Sequence, residues 1–218
     1  IKNGKGIEYY DNDKLEFEFK YLNGKIWSGY KINYNKNEKY EEEYLYNEKI
    51  KGREYVSGKL EFVGEYLYRR KYNGVGYDSD GNIIYELKNG NGKVKEYNNS
   101  NNKITLKFEG EYLNGIKHGK GKEYYDNGKL KYEGEYLNGL RHGKGKEFYD
   151  VGKLLFEGEY LKGLRHGEGR EYRKNGKTLK FKGGYLNGER SGFGIEYTWN
   201  GYIIYKGDYL NGMPIEKK

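Results

Sequence analysis

The chain has 218 residues, of which 34% are apolar and 34% charged, so it is too polar for one thick hydrophobic core. Its 17% aromatic content, with 28 Tyr, is equally wrong for a disordered chain. Zero Cys excludes disulfides, thiolate metal sites and a Cys nucleophile, and 35 Gly against one Pro excludes collagen and makes long helices improbable. The net charge of +8 is uneven: residues 1–111 balance at +1 and residues 112–218 at +7. A basic half suits an acidic partner, anionic lipid or nucleic acid, or simply a solvated Lys-rich surface.

In chain order, the first feature is NGKGIEYYDND from Asn3, which matches HGKGKEYYDNG from His118. Three loose copies of a longer unit follow, anchored on Tyr21, Tyr44 and Tyr66. The segment around Tyr85, YELKNGNGKVKEY, keeps only the second half of that unit well. From residue 105 the unit becomes regular, anchored on Tyr112, Tyr136, Tyr160, Tyr185 and Tyr209 at spacings of 24, 24, 25 and 24. A fixed period of this size is the signature of a repeat array. The organisation read from it is divergent repeats over 1–71, a degenerate repeat over 72–104 that could form a bend, and regular repeats over 105–218.

Each unit predicts a β-hairpin. In LKYEGEYLNG, Leu130, Tyr132, Gly134 and Tyr136 alternate with Lys131, Glu133 and Glu135, the period-two pattern of a half-buried strand. Asn138–Gly139 supplies the left-handed backbone of a tight turn, and Gly143, Gly145 and Glu147 continue on a second strand. Charges suggest a register in which Tyr136 faces Gly143, Gly134 faces Gly145 and Tyr132 faces Glu147. Glu135 then meets Lys144, Glu133 meets Lys146 and Glu157 meets Arg170, with one like-charged pair, Glu159–Glu168. The expected fold is all-β: an elongated single-sheet array of about nine consecutive β-hairpins, advancing roughly 10 Å per unit, with rings lying over the bare glycine backbone of the opposite strand.

The pattern Y-x-G-x-[YW]-x-x-G-x-x-H-G-x-G, carried by Tyr132, Gly134, Tyr136, Gly139, His142, Gly143 and Gly145, resembles the MORN (membrane occupation and recognition nexus) repeat. The copies beginning at Phe108 and Phe156 match in the same way, with Phe for the first Tyr. The resemblance implies a grooved hairpin rod that acts as a scaffold, tether or dimerisation element, in which some members clasp a partner segment. In other members the repeats are appendages of lipid kinases or methyltransferases. Neither enzyme's motifs are present in this sequence.

Three chemical readings compete with purely structural ones. His118, His142 and His166 recur every 24 residues, about 10 Å apart in an array, too far to share one ion. They read as turn residues or a pH-sensitive partner contact. The Gly-x-Gly pairs lie within strands with no helix behind them, so they are not phosphate loops. Glu123, Glu147, Glu171 and Glu196 form a row on the aromatic face, opposite Phe108, Tyr132, Phe156 and Phe181. They either accept hydrogen bonds from tyrosines or, with Tyr112, Tyr136, Tyr160 and Tyr185, line a groove for a basic or amphipathic partner segment.

The function read from the sequence is a non-enzymatic scaffold or protein-interaction module without cofactor or metal, binding a protein partner or a second copy as a homodimer. The alternatives are an anionic-membrane binding module and the regulatory repeat region of a larger enzyme. Nucleic acid is disfavoured because most of the cations on the opposite face (Lys122, Lys146 and Arg170) are matched to Glu partners. There is no apolar run long enough for a transmembrane helix, and the expected location is intracellular, in the cytoplasm or against cytoskeleton or membrane.

Overall fold

The structure is a computed structural model that describes residues 2–9, 15–35, 38–100 and 103–215. Parts of the divergent and degenerate repeats lie outside those residues. Among the described residues the regular elements are all β-strands, and every pairing is antiparallel between chain neighbours. One sheet runs in order through β1 (Gly4–Tyr9), β2 (Leu15–Leu22), β3 (Lys25–Asn35), β4 (Glu38–Leu45), β5 (Glu48–Val56), β6 (Lys59–Leu67), β7 (Arg70–Tyr77) and β8 (Ile83–Leu87). A second comprises β9 (Gly92–Ser100), β10 (Lys103–Leu113), β11 (Ile116–Tyr124), β12 (Leu130–Leu137), β13 (Leu140–Phe148) and β14 (Leu154–Leu161). It continues through β15 (Leu164–Tyr172), β16 (Leu179–Leu186), β17 (Glu189–Tyr197), β18 (Ile203–Leu210) and β19 (Met213–Pro214).

The hairpin array is as expected, but its ladder is divided in two rather than continuous. Between β8 and β9 only an isolated bridge, Lys88–Asn91, remains. The shortened first half of this worn repeat leaves too few alternating residues to carry a ladder across. The chain forms two compact units, one of Ile1–Ile104 with Tyr112–Ile116, the other of Thr105–Glu111 with Lys117–Lys218.

The second unit shows why this sequence forms hairpins. Asn138 (φ 52°) and Gly139 (φ 85°) both adopt the left-handed conformation, the two-residue turn whose twist suits antiparallel strands. That turn sets Leu137 opposite Leu140, Tyr136 opposite Arg141 and Glu135 opposite His142. The expected pairs Gly134–Gly145, Glu133–Lys146 and Tyr132–Glu147 are present. The expected pairs Tyr136–Gly143 and Glu135–Lys144 are not, because Gly143 and Lys144 form a bulge between the two stretches of ladder. The same shift sets Glu159 against His166 and removes the Glu159–Glu168 repulsion, while Glu157–Arg170 forms. The unbulged register appears one strand over: Gly119 faces Tyr136, Lys120 faces Glu135 and Gly121 faces Gly134. Each glycine strand thus serves two tyrosine strands, with the register shifting at the glycine end in one pairing and after the Glu in the other.

The core is a file of rings one layer deep. Tyr132, Phe156, Phe181 and Phe108 are fully buried. Tyr132 meets Tyr136 and Tyr160 edge-on at centroid distances of 5.6 and 5.2 Å, Phe156 meets Tyr160 and Tyr185 at 5.7 and 5.1 Å, and Phe181 meets Tyr185 and Tyr209 at 5.5 and 5.1 Å. Each such edge-to-face pair contributes about 0.5–1.5 kcal/mol beyond area burial. Glycines make the file possible: a Cβ on Gly158 would stand 2.7 Å from Gly169 Cα and from the Phe156 ring. At the connecting edge the repeats are stapled together. Tyr125 donates its hydroxyl to the Phe148 carbonyl and Tyr149 to that of Tyr172, both at 2.8 Å, while Arg173 donates to the Tyr197 carbonyl at 2.5 Å.

Candidate interaction site

Strand alternation sends Glu123, Glu147, Glu171 and Glu196 to the same face as the buried rings, each opposite the expected ring across its hairpin where the register is described. The residue two positions after each turn glycine is a cation in four successive copies: Lys117, Arg141, Arg165 and Arg190. These cations lie flat on the core rings. Lys117 sits 3.9 Å from the Phe108 centroid, Arg141 4.1 Å from Tyr132, and Arg165 and Arg190 4.2 Å from Phe156 and Phe181. The rings' negative faces attract them, an effect worth about 0.5–2 kcal/mol each.

The carboxylates lie between the cations. Arg141 donates to Glu123 at 2.7 Å and to Glu147 at 3.1 Å, and Arg165 donates to the other oxygen of Glu147. Arg190 bridges Glu171 at 3.0 Å and Glu196 at 3.1 Å, and Lys180 adds a 2.6 Å contact to Glu171. Tyrosines complete the shell: Tyr136 donates to Glu123 at 2.7 Å and Tyr209 to Glu196 at 3.5 Å. The Tyr160 hydroxyl lies beside Glu147, whose charge adds to burial in raising its pKa, but the contact falls outside hydrogen-bonding geometry. Burial opposes ionisation of Glu123, yet hydrogen bonds from Arg141 and Tyr136 hold it below the usual carboxylate range. Lys180 and Arg190 do the same for Glu171 against the same opposition. Burial, reinforced by Glu123, pushes the Tyr136 hydroxyl far above its ordinary value, and burial with Glu171 pushes Tyr185 up to about 12.

The first unit repeats the motif. Glu54 takes Lys71 at 2.9 Å and the Tyr66 hydroxyl at 2.8 Å, with Lys71 4.6 Å over Phe62. Tyr112, half-buried, donates to Glu96. Of the proposed groove tyrosines, Tyr136, Tyr160 and Tyr185 are core rings, 4%, 3% and 5% exposed. Solvent meets instead the edges of a carboxylate–guanidinium ladder whose side chains are 13–26% exposed. The covering cations escaped the sequence reading, although their recurrence at one repeat offset was the available signal. The histidines face Glu partners, Glu135–His142 and Glu159–His166, and where the fourth copy has Ser191 it also has Gly184 in place of the Glu. His118 and His142, with Glu111 and Glu135, line an open groove of about 530 Å³.

The family model of the MORN repeat matches four times, at residues 108–129, 132–153, 156–178 and 181–201. The stretch 108–201 is an array of four MORN repeats. Its MORN units coincide with the ring file and ladder just described, each match opening on a fully buried ring: Phe108, Tyr132, Phe156 or Phe181. No curated protein matches the chain significantly. MORN repeats often belong to proteins engaged in protein or membrane interaction, and the family is typically non-catalytic. Among the described residues no helix is long and apolar enough to cross a membrane.

Proposed function

We propose that the chain is a non-enzymatic scaffold whose MORN array binds a segment of a protein partner, or a second copy, along the ladder face. The supporting observation is repetition. The same ring, cation and carboxylate recur in register through four units, giving equal rows where an active site would need one unique constellation. Rows suit an extended occupant. Within the second unit, the buried rings of Tyr136, Tyr160 and Tyr185 are the floor beneath Glu123, Glu147, Glu171 and Glu196. An occupant competes with Arg141, Arg165 and Arg190 for those carboxylates, so it must bring its own cations or donors. We place this module inside the cell, against cytoskeleton or a membrane surface.

The test is reconstitution with a purified partner obtained by cross-linking, with light scattering for self-association. Binding should weaken at least tenfold in Glu147→Gln/Glu171→Gln while circular dichroism stays unchanged. Unchanged binding would refute the ladder as the site. Steep salt-dependent adsorption to phosphatidylserine vesicles, with no protein partner, would favour the membrane reading instead.

A further inference from the structure

Nine two-residue turns follow the repeat's anchor positions, at 23–24, 46–47, 68–69, 89–90, 114–115, 138–139, 162–163, 187–188 and 211–212, all left-handed at both positions. Seven end in Gly, and six of those begin with Asn. The two adjacent exceptions are Tyr46–Asn47 (φ 49° and 65°) and Tyr68–Arg69 (φ 49° and 64°). A bulky residue in this region clashes with its own backbone, and a turn of two non-glycine residues suffers twice. Nothing in the packing repays that strain, since Tyr46 is 68% and Tyr68 84% exposed. Strain concentrated at an exposed site, with the relaxed solution used at seven sister positions of the same chain, points to a role for the rings themselves.

We propose that Tyr46 and Tyr68 are the anchors of a second docking surface, for a protein segment that alternates apolar and acidic side chains. The two turns are tied to each other by the Arg69–Glu48 ion pair at 2.9 Å, so the rings are presented together, about 10 Å apart by the two-strand spacing. Leu45 and Leu67 stand exposed at their bases, and Trp27, also exposed, lends its carbonyl to the Tyr46 amide. Tyr, Trp and Arg are the residues that dominate protein–protein binding energy. Arg70, exposed next to the pair, offers a carboxylate its counter-charge. Exposed Glu43 and Glu65, with Glu48, break up the positive field, which disfavours a phosphate polyanion or an anionic bilayer. The surface rests on the reading of the chain as an interaction module, but at the turns of the first unit and not on the ladder.

The experiment uses the whole chain and three fluorescein-labelled 12-residue peptides, alternating Leu–Glu, Leu–Lys and Ser–Glu, with phosphatidylserine vesicles and oligo-dT alongside. The Leu–Glu peptide should bind best. In Tyr46→Asn/Tyr68→Asn its affinity should fall at least tenfold while the melting temperature rises by about 2–4 °C per relaxed turn. Glu147→Gln/Glu171→Gln, in the second unit, should leave peptide binding unchanged. No measurable binding of the Leu–Glu peptide, a preference for Leu–Lys that persists in Glu147→Gln/Glu171→Gln, a preference for vesicles or oligo-dT, or affinity untouched by the Tyr46→Asn/Tyr68→Asn double substitution would each overturn the proposal. Loss of binding in Glu147→Gln/Glu171→Gln alone would overturn it in favour of the ladder, and a lowered melting temperature would overturn the strain argument on which it stands.

Discussion

Replacing Gly169 by Ala would place a methyl group 2.5 Å from Phe156 Cε2 and Cζ and 3.1 Å from Tyr185 Cε2. The backbone of Gly169 lies outside the left-handed region, so the added carbon brings only a steric conflict. Phe156 has nowhere to go: it is fully buried, with Tyr160 and Tyr185 edge-on at 5.7 and 5.1 Å and Arg165 stacked at 4.2 Å. Overpacking of this kind costs about 2–3 kcal/mol, the upper part of the usual range, because ring and backbone are both pinned. For a chain of this size that is a fall of about 4–12 °C in melting temperature. Phe156→Leu makes room. The double variant should therefore be more stable than the sum of the single effects predicts, by about 1 kcal/mol or more. Thermal melts of the four proteins, with hydrogen exchange at β14 and β15, measure this. A change below about 0.5 kcal/mol for Gly169→Ala, or strict additivity with Phe156→Leu, would show that glycine is not there to seat the ring.

Arg165→Met should destabilise by only about 1–2 kcal/mol, since Glu147 keeps Arg141 as a partner and the loss is mainly of the stack on Phe156; calorimetry checks this, and a loss above about 4 kcal/mol would contradict shared neutralisation. Tyr149→Phe removes the hydroxyl held by the Tyr172 carbonyl and should cost about 1 kcal/mol, read from denaturant midpoints. Because Tyr66, Tyr112 and Tyr136 have pKa values raised above the unfolded value of 10, their contribution is complete below pH 10 and is lost as pH rises beyond it. Tyrosinate absorbance from these residues should accordingly appear together with loss of the β-sheet signal; ionisation in an intact fold would refute the assignment. Glu123 and Glu171 have lowered values, so their contribution is complete above the unfolded value of 4.5 and is lost as pH falls below it, which Glu123→Gln/Glu171→Gln should flatten in an acid titration.

Period and alternation made the hairpins, the turns and the MORN units legible from residues such as Tyr132, Gly134 and Asn138. Three features were not, or only in part. The bulge at Gly143–Lys144 depends on a competition between turn geometry and cross-strand charge pairing. Charge pairing alone favoured Glu135–Lys144, and the turn prevailed. The ladder was half visible: the Glu row stood out, but Arg141 and Arg165 drew no reading, because stacking on a ring from another strand leaves no mark in local alternation. Tyr46 and Tyr68 were also passed over, since the anchor pattern draws attention to Tyr44 and Tyr66 two residues earlier.

The double service of each glycine strand has a consequence for how such a chain can change length. Gly145 faces Gly134 on one side and Gly158 on the other, and Arg141 holds carboxylates from two successive units. No hairpin is therefore a separable brick; the smallest self-consistent segment is a junction. Excising the 24 residues 132–155 would bring β11 against β14 with Glu123 facing Phe156 in place of Tyr132, and every contact type would be restored. Excising 12 would set two like strands side by side, with rings opposed to rings and no glycine beneath them. Length in this molecule is quantised, and gain or loss by whole periods is the path along which such an array grows without passing through a broken state.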